Sequence, residues 1–90
     1  MNLSLKQELI LKETLVKNGV NNQIDMCIEE CSELIQALCK YKRGRQHNVE
    51  EEMADVFIMM TQMRLVFNQI EIQRIINLKV NTLKDKIQDE

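Results

Sequence analysis

Six carboxylates in two short runs are the residues of this chain whose types and spacing can do chemistry. Glu29, Glu30 and Glu33 form one run, and Glu51, Glu52 and Asp55 form the other, each inside apolar, helix-favouring sequence. At 100° per residue, Glu30 and Glu33 are neighbours on one helical face, about 5–6 Å apart between Cβ atoms. Glu52 and Asp55 stand in the same relation on a second helix. Both pairs border an apolar stripe instead of lying opposite it. If the two helices pack antiparallel across the short 43–48 connection, the pairs converge on one cleft.

A solvated face is the ordinary reason for a glutamate on a helix. The neighbours discriminate. Glu8 has Lys12 four residues on and Glu13 has Lys17, the orientation that supports a surface helix. None of Glu30, Glu33, Glu52 and Asp55 has a lysine or arginine three or four residues away. Like charges at that spacing repel by roughly a few tenths of a kcal/mol when exposed, and by more when desolvated. A chain with 12 basic residues leaves this repulsion standing, so an external counter-charge is expected. A hard divalent cation, Mg²⁺ or alternatively Mn²⁺, suits an all-oxygen ligand set. Zinc suits it poorly, because the one histidine, His47, lies in a polar connection and Cys27 and Cys31 fall on the expected core face. A di-iron carboxylate bundle would use Glu-x-x-His pairs, which the sequence lacks.

The elements that must position these acids are helical. The chain has 90 residues, enough for a single domain spanning 1–90, with no proline and only Gly19 and Gly44 as glycines. Leu, Ile, Met, Glu, Lys and Gln dominate, which predicts an all-α fold. Ser4-x-x-Gln7 reads as a capping box opening a first helix that runs to about Asn18, with Gly19 in the left-handed C-terminal position. Asn21 or Asn22 is expected to cap a second helix running to about Lys42, ahead of Gly44. Asn48 with Glu51, and Asn68 with Glu71, predict boxes opening a third and a fourth helix. Apolar residues recur at helical spacing: Ile24, Cys27, Ile28, Cys31, Leu34, Ile35 and Leu38 in the second helix, and Val49, Met53, Val56, Met60, Met63 and Phe67 in the third. The fourth carries Ile72, Ile75, Ile76, Val80, Leu83 and Ile87. Val56 to Met60 is apolar all round, a pattern that requires enclosure on several sides. Three other short helices cannot provide it, so a homo-oligomer, dimer or larger, is expected.

Several functions are disfavoured by composition. Fourteen acidic against 12 basic residues leave no field to draw the chain to nucleic acid, and three aromatics offer no stacking platform for single strands. No apolar run approaches the ~20 residues that span a bilayer, so no membrane partner is expected. The first residues mix charge into their apolar run, unlike a signal peptide. Three cysteines in one helix argue against a disulfide framework, and a cytoplasmic location is expected.

The paired motif, Glu30-Cys-Ser-Glu33 and Glu52-Met-Ala-Asp55, each preceded by a further glutamate, resembles the all-α nucleoside triphosphate pyrophosphatases of the MazG-like type. The resemblance covers roughly residues 20 to 85, and the 18 residues between Glu33 and Glu52 suit it. It implies a four-helix subunit assembling into an oligomeric helical bundle, a dimer or tetramer. It also implies Mg²⁺-dependent hydrolysis of an NTP or dNTP between the α- and β-phosphates, releasing the monophosphate and pyrophosphate. Glu30, Glu33, Glu52 and Asp55 would be the metal ligands and catalytic residues, with Glu29 and Glu51 in supporting or base roles. Lys79 stands where the resemblance places a phosphate-binding base, and Asn22 is a candidate nucleotide contact. Asn81 and Lys84 or Lys86 depart from the acid and arginine usual in that stretch. Two other readings compete: a non-catalytic helical oligomerisation module, and a metal-dependent nucleotide sensor on the same fold.

Overall fold

The computed structural model describes residues 2–89. Four helices follow one another, α1 (Leu5–Asn18), α2 (Val20–Lys42), α3 (Val49–Val66) and α4 (Gln69–Asp89), and no strand occurs among the described residues. The all-α expectation and the helix order are met.

Local chemistry sets most of the boundaries. Ser4 Oγ accepts from the Gln7 N–H at 3.1 Å and Gln7 Oε1 accepts from the Ser4 N–H at 2.9 Å, which completes the first capping box. Gly19 departs from expectation. Its φ of 90° with ψ of 148° lies outside the left-handed helical region, in territory that essentially only glycine adopts. Its N–H closes α1 on the Leu15 carbonyl at 2.9 Å, and its own carbonyl accepts from Gln23 N–H at 3.1 Å to start α2. One residue thus makes the whole turn. Asn21 and Asn22 consequently lie inside α2 and cap nothing; Asn22 Nδ2 instead donates back to the Asn18 carbonyl at 2.8 Å.

The end of α2 is a Schellman turn. Gly44, at φ 69°, donates to the Tyr41 carbonyl, and Arg45 N–H reaches back to the Lys40 carbonyl, both at 3.0 Å. Asn48 holds the N-cap position of α3 without a side-chain capping bond, so the expected box with Glu51 does not form. At α4, Asn68 Oδ1 accepts from the Glu71 N–H at 3.0 Å, but the Glu71 carboxylate pairs with Arg74 and leaves the box half made.

Packing is dominated by α2 against α3, with α1 laid across both. The seam of α2 reads Gln23, Glu30, Ala37, spaced by seven, and that of α3 reads Glu52, Met59, then Gln62 and Met63. Leu15, Ala37, Met59 and Met63 are the buried apolar residues, and Ala37 leaves room for α3 to approach closely. Two glutamines complete this centre. Gln23 Nε2 donates to Gln62 Oε1 at 2.7 Å, Gln62 Nε2 to the Leu11 carbonyl at 2.9 Å, and Asn18 Nδ2 to Gln23 Oε1 at 3.3 Å. This relay ties three helices together while leaving neither buried amide without a partner.

Much of the expected apolar core is not covered by the chain itself. Ile28, Ile35 and Leu38 are exposed on α2, and Ile58 and Met60 on α3, whose Val56–Met60 stretch is therefore open on one side. No residue of α4 is buried. Only its first turns, through Ile72 and Ile76, border a groove of about 530 Å³ shared with Ile24, Cys27, Met60 and Met63. No helix of the described residues is long and apolar enough to cross a membrane.

Candidate metal centre

Both acidic pairs sit on the α2/α3 seam, which is why they face each other. Glu30 occupies the seam position midway between buried Gln23 and buried Ala37. Glu52 lies in the first turn of α3, seven residues before buried Met59. One carboxylate oxygen from each of Glu30, Glu33 and Glu52 lies within 4.8 Å of the other two. Glu30 and Glu33 are half-buried, and Glu52 is buried, with 7% of its surface exposed.

Asp55, expected as the fourth member, is not part of that trio. It is half-buried, and its negative charge is among those that act on Glu30. Glu29 and Glu51 are exposed. Asn22 lies eight residues before Glu30, about 12 Å along α2, with its amide engaged on Asn18. Lys79 is exposed on the unpacked part of α4. This single chain brings neither to the acidic trio.

Asn48 is the site neighbour that capping logic hides. Its Nδ2 donates to Glu52 Oε1 at 2.8 Å. The bond fixes the rotamer of Glu52 and satisfies one of its oxygens. An asparagine four residues before a glutamate is helical spacing that permits this contact, and was the available signal.

The electrostatics show an unmet demand. Burial, then the negative charges of Glu33, Asp55 and Glu52, push Glu30 up to about 7. Burial also raises Glu52, against the lowering effect of the Asn48 bond, and Glu33, Asp55 and Glu51 raise it further. Glu30 Oε2 and Glu52 Oε2 are buried and have no hydrogen-bond partner. A desolvated carboxylate oxygen without a donor is costly, and a cation is the one partner that would satisfy two of them and cancel the repulsion together. The residues present therefore fit a hard, oxygen-ligated divalent ion.

No curated protein and no solved structure matches the chain. A match to the MazG nucleotide pyrophosphohydrolase domain extends over residues 19–89, from the glycine that opens α2 to the last residue described in α4. With that span and this acidic seam between α2 and α3, the chain belongs to the MazG nucleotide pyrophosphohydrolase family, enzymes that hydrolyse nucleotides.

Proposed function

We propose that the protein is a Mg²⁺-dependent nucleoside triphosphate pyrophosphohydrolase, cleaving an NTP or dNTP between the α- and β-phosphates. The observation that carries this is the pair of partnerless buried oxygens, Glu30 Oε2 and Glu52 Oε2, beside Glu33 in a chain of this family. Glu30, Glu33, Glu52 and Asp55 would hold the ion, with Mn²⁺ able to replace Mg²⁺. When bound, such an ion neutralises triphosphate charge and lowers the pKa of water. Asp55, whose negative charge acts on both Glu30 and Glu52, is also suited to orient a water. Asn48 keeps Glu52 aimed at the trio. Asn22 and Lys79 remain candidate nucleotide contacts, and Lys79 requires a second subunit or a movement of α4 to reach substrate.

A homo-oligomer, dimer or tetramer, is part of the proposal. A folded monomer of this mass exposes about 5,500 Å², whereas this chain exposes 7481 Å². The difference is of the size that obligate interfaces bury. The radius of gyration, 16.0 Å, likewise exceeds the roughly 12 Å of a compact chain of this length. All four helices then form one domain in each subunit, in a cytoplasmic enzyme without nucleic-acid or membrane partners.

The test is pyrophosphate release over canonical and modified (d)NTPs with Mg²⁺ and Mn²⁺. Turnover is expected, and Glu33→Gln or Asp55→Asn should each lower kcat by about 10²-fold or more with the helical circular dichroism unchanged. Absence of turnover with every nucleotide, while a metal-dependent thermal shift persists, would leave a sensor in place of an enzyme.

A further inference from the structure

The last turn of α2 carries Lys40 and Lys42, and the connection to α3 carries Arg43 and Arg45, all exposed. Among the described residues none of them makes an ion pair; the one ion pair there is Arg74 with Glu71. Four like charges in six residues repel one another, yet their backbone is held tightly. Arg45 N–H bonds to the Lys40 carbonyl at 3.0 Å, which brings the two backbones together across the Schellman turn. Further on, Val49 N–H donates to His47 Nδ1 at 3.3 Å, and the His47 ring packs edge-on to Tyr41 at 5.2 Å. The segment is built, not slack.

Its path follows from helix geometry. Lys42 lies nine residues beyond Glu33, about 13 Å along α2, whereas Val49 lies only three residues before Glu52, about 4–5 Å along α3. Since the Glu33 and Glu52 carboxylates meet within 4.8 Å, residues 43–48 must fall back by about 9 Å beside the last two turns of α2. At the foot of this descent Asn48 touches Glu52. Lys40, seven residues beyond Glu33, shares its face of α2. Lys40 thus lies on the Glu33 side of α2, and Arg43 and Arg45 lie in the turn from which the chain descends to Asn48; long basic side chains there suit an anion extending out of the trio. The arrangement mirrors the trio: ordered like charges whose partner lies outside the chain.

Resting on the function proposed above, we propose that Lys40, Arg43 and Arg45 bind the distal phosphates of the substrate, making this connection the element that selects a triphosphate over a shorter phosphate ester. Charge-assisted and bidentate bonds from arginine to phosphate supply the recognition. Ionic strength should weaken it, since the cations are solvent-exposed.

Inorganic tripolyphosphate with Mn²⁺, titrated calorimetrically into the full chain, tests the binding without any nucleotide chemistry. The Lys40→Gln/Arg43→Gln/Arg45→Gln variant should bind tripolyphosphate about tenfold or more weaker, the loss of roughly one charge-assisted bond. Its affinity for Mn²⁺ alone should be unchanged, as should tripolyphosphate binding by a Lys84→Gln/Lys86→Gln control. Lysine at 43 and 45 should restore part of the affinity. Equal binding by wild type and triple variant overturns the inference, and so does parallel loss of Mn²⁺ binding. Wild-type turnover is read separately: a chain that binds tripolyphosphate through these cations but hydrolyses no nucleotide keeps this inference and loses the enzymatic proposal.

Discussion

Glu30 shows how a residue's chemistry is set by its neighbours. In the metal-free protein its folded pKa is raised from 4.5 to about 7 by burial and by Glu33, Asp55 and Glu52. A carboxyl whose folded pKa exceeds its unfolded one favours the native state while protonated. That contribution is whole below about pH 4.5 and is lost as pH rises through about 7. Glu52 shifts in the same direction. Glu71, lowered by Arg74, has the opposite sign, so the centre's part is isolated by comparison with Glu30→Gln. We expect the melting temperature of the metal-free protein to fall between pH 5 and pH 7.5 more steeply for wild type than for Glu30→Gln. Saturating Mg²⁺ should raise wild-type stability more at pH 7.5 than at pH 5, with protons released on binding. Thermal scans across that range, in chelator and in Mg²⁺, decide it; a metal increment independent of pH would remove the acidic trio as the binding site.

Glycine governs how the elements are joined, and the two turns differ in kind. Gly44 sits near left-handed helical geometry, which other residues enter at a cost of about 1–2 kcal/mol. Gly19, at φ 90° and ψ 148°, sits where a side chain is scarcely tolerated. A Cβ built at either position meets nothing within 4 Å, so both penalties are those of the backbone alone. Gly44→Ala should therefore cost about 1 kcal/mol, and Gly19→Ala about 2–3 kcal/mol. Urea unfolding at one fixed protein concentration would show the ranking, and equal costs would contradict the turn geometry. The Gly44 turn also orders the backbone that carries Arg43 and Arg45, so an element boundary and the proposed binding surface share one residue.

The whole molecule is larger and greasier outside than its length warrants. Exposed large apolar residues lie on every helix, among them Leu9 and Val16 on α1, Ile28, Ile35 and Leu38 on α2, Met60 on α3, and Val80 and Leu83 on α4. Exposed apolar side chains in this number are what the proposed assembly would cover. Light scattering is expected to give a multiple of 10.6 kDa. Ile35→Asp with Leu83→Asp should release subunits, because both residues are exposed in the single chain and lie outside the groove that α4 shares with α2 and α3. A wild-type mass of one chain would refute the assembly.

The amino-acid sequence by itself determined the helical class, the order of the four helices and the two acidic pairs, because these depend on local propensity and on spacing within one helix. Glu30, Glu33 and Glu52 were legible for that reason: their lack of basic neighbours is a property of i, i+3 and i, i+4 positions. Tertiary structure alone decided which faces meet. Of the apolar stripe expected on α2, Ile24, Cys27, Cys31 and Leu34 are half-buried and Ile28, Ile35 and Leu38 are exposed, whereas the buried positions are Gln23 and Ala37. Polar residues can hold such positions only because partners from other helices satisfy them, as Gln62 does for Gln23. The convergence of Glu30 and Glu33 with Glu52 depends on contacts between helices. No periodicity within one helix encodes such contacts, since they arise only when separate segments are brought together.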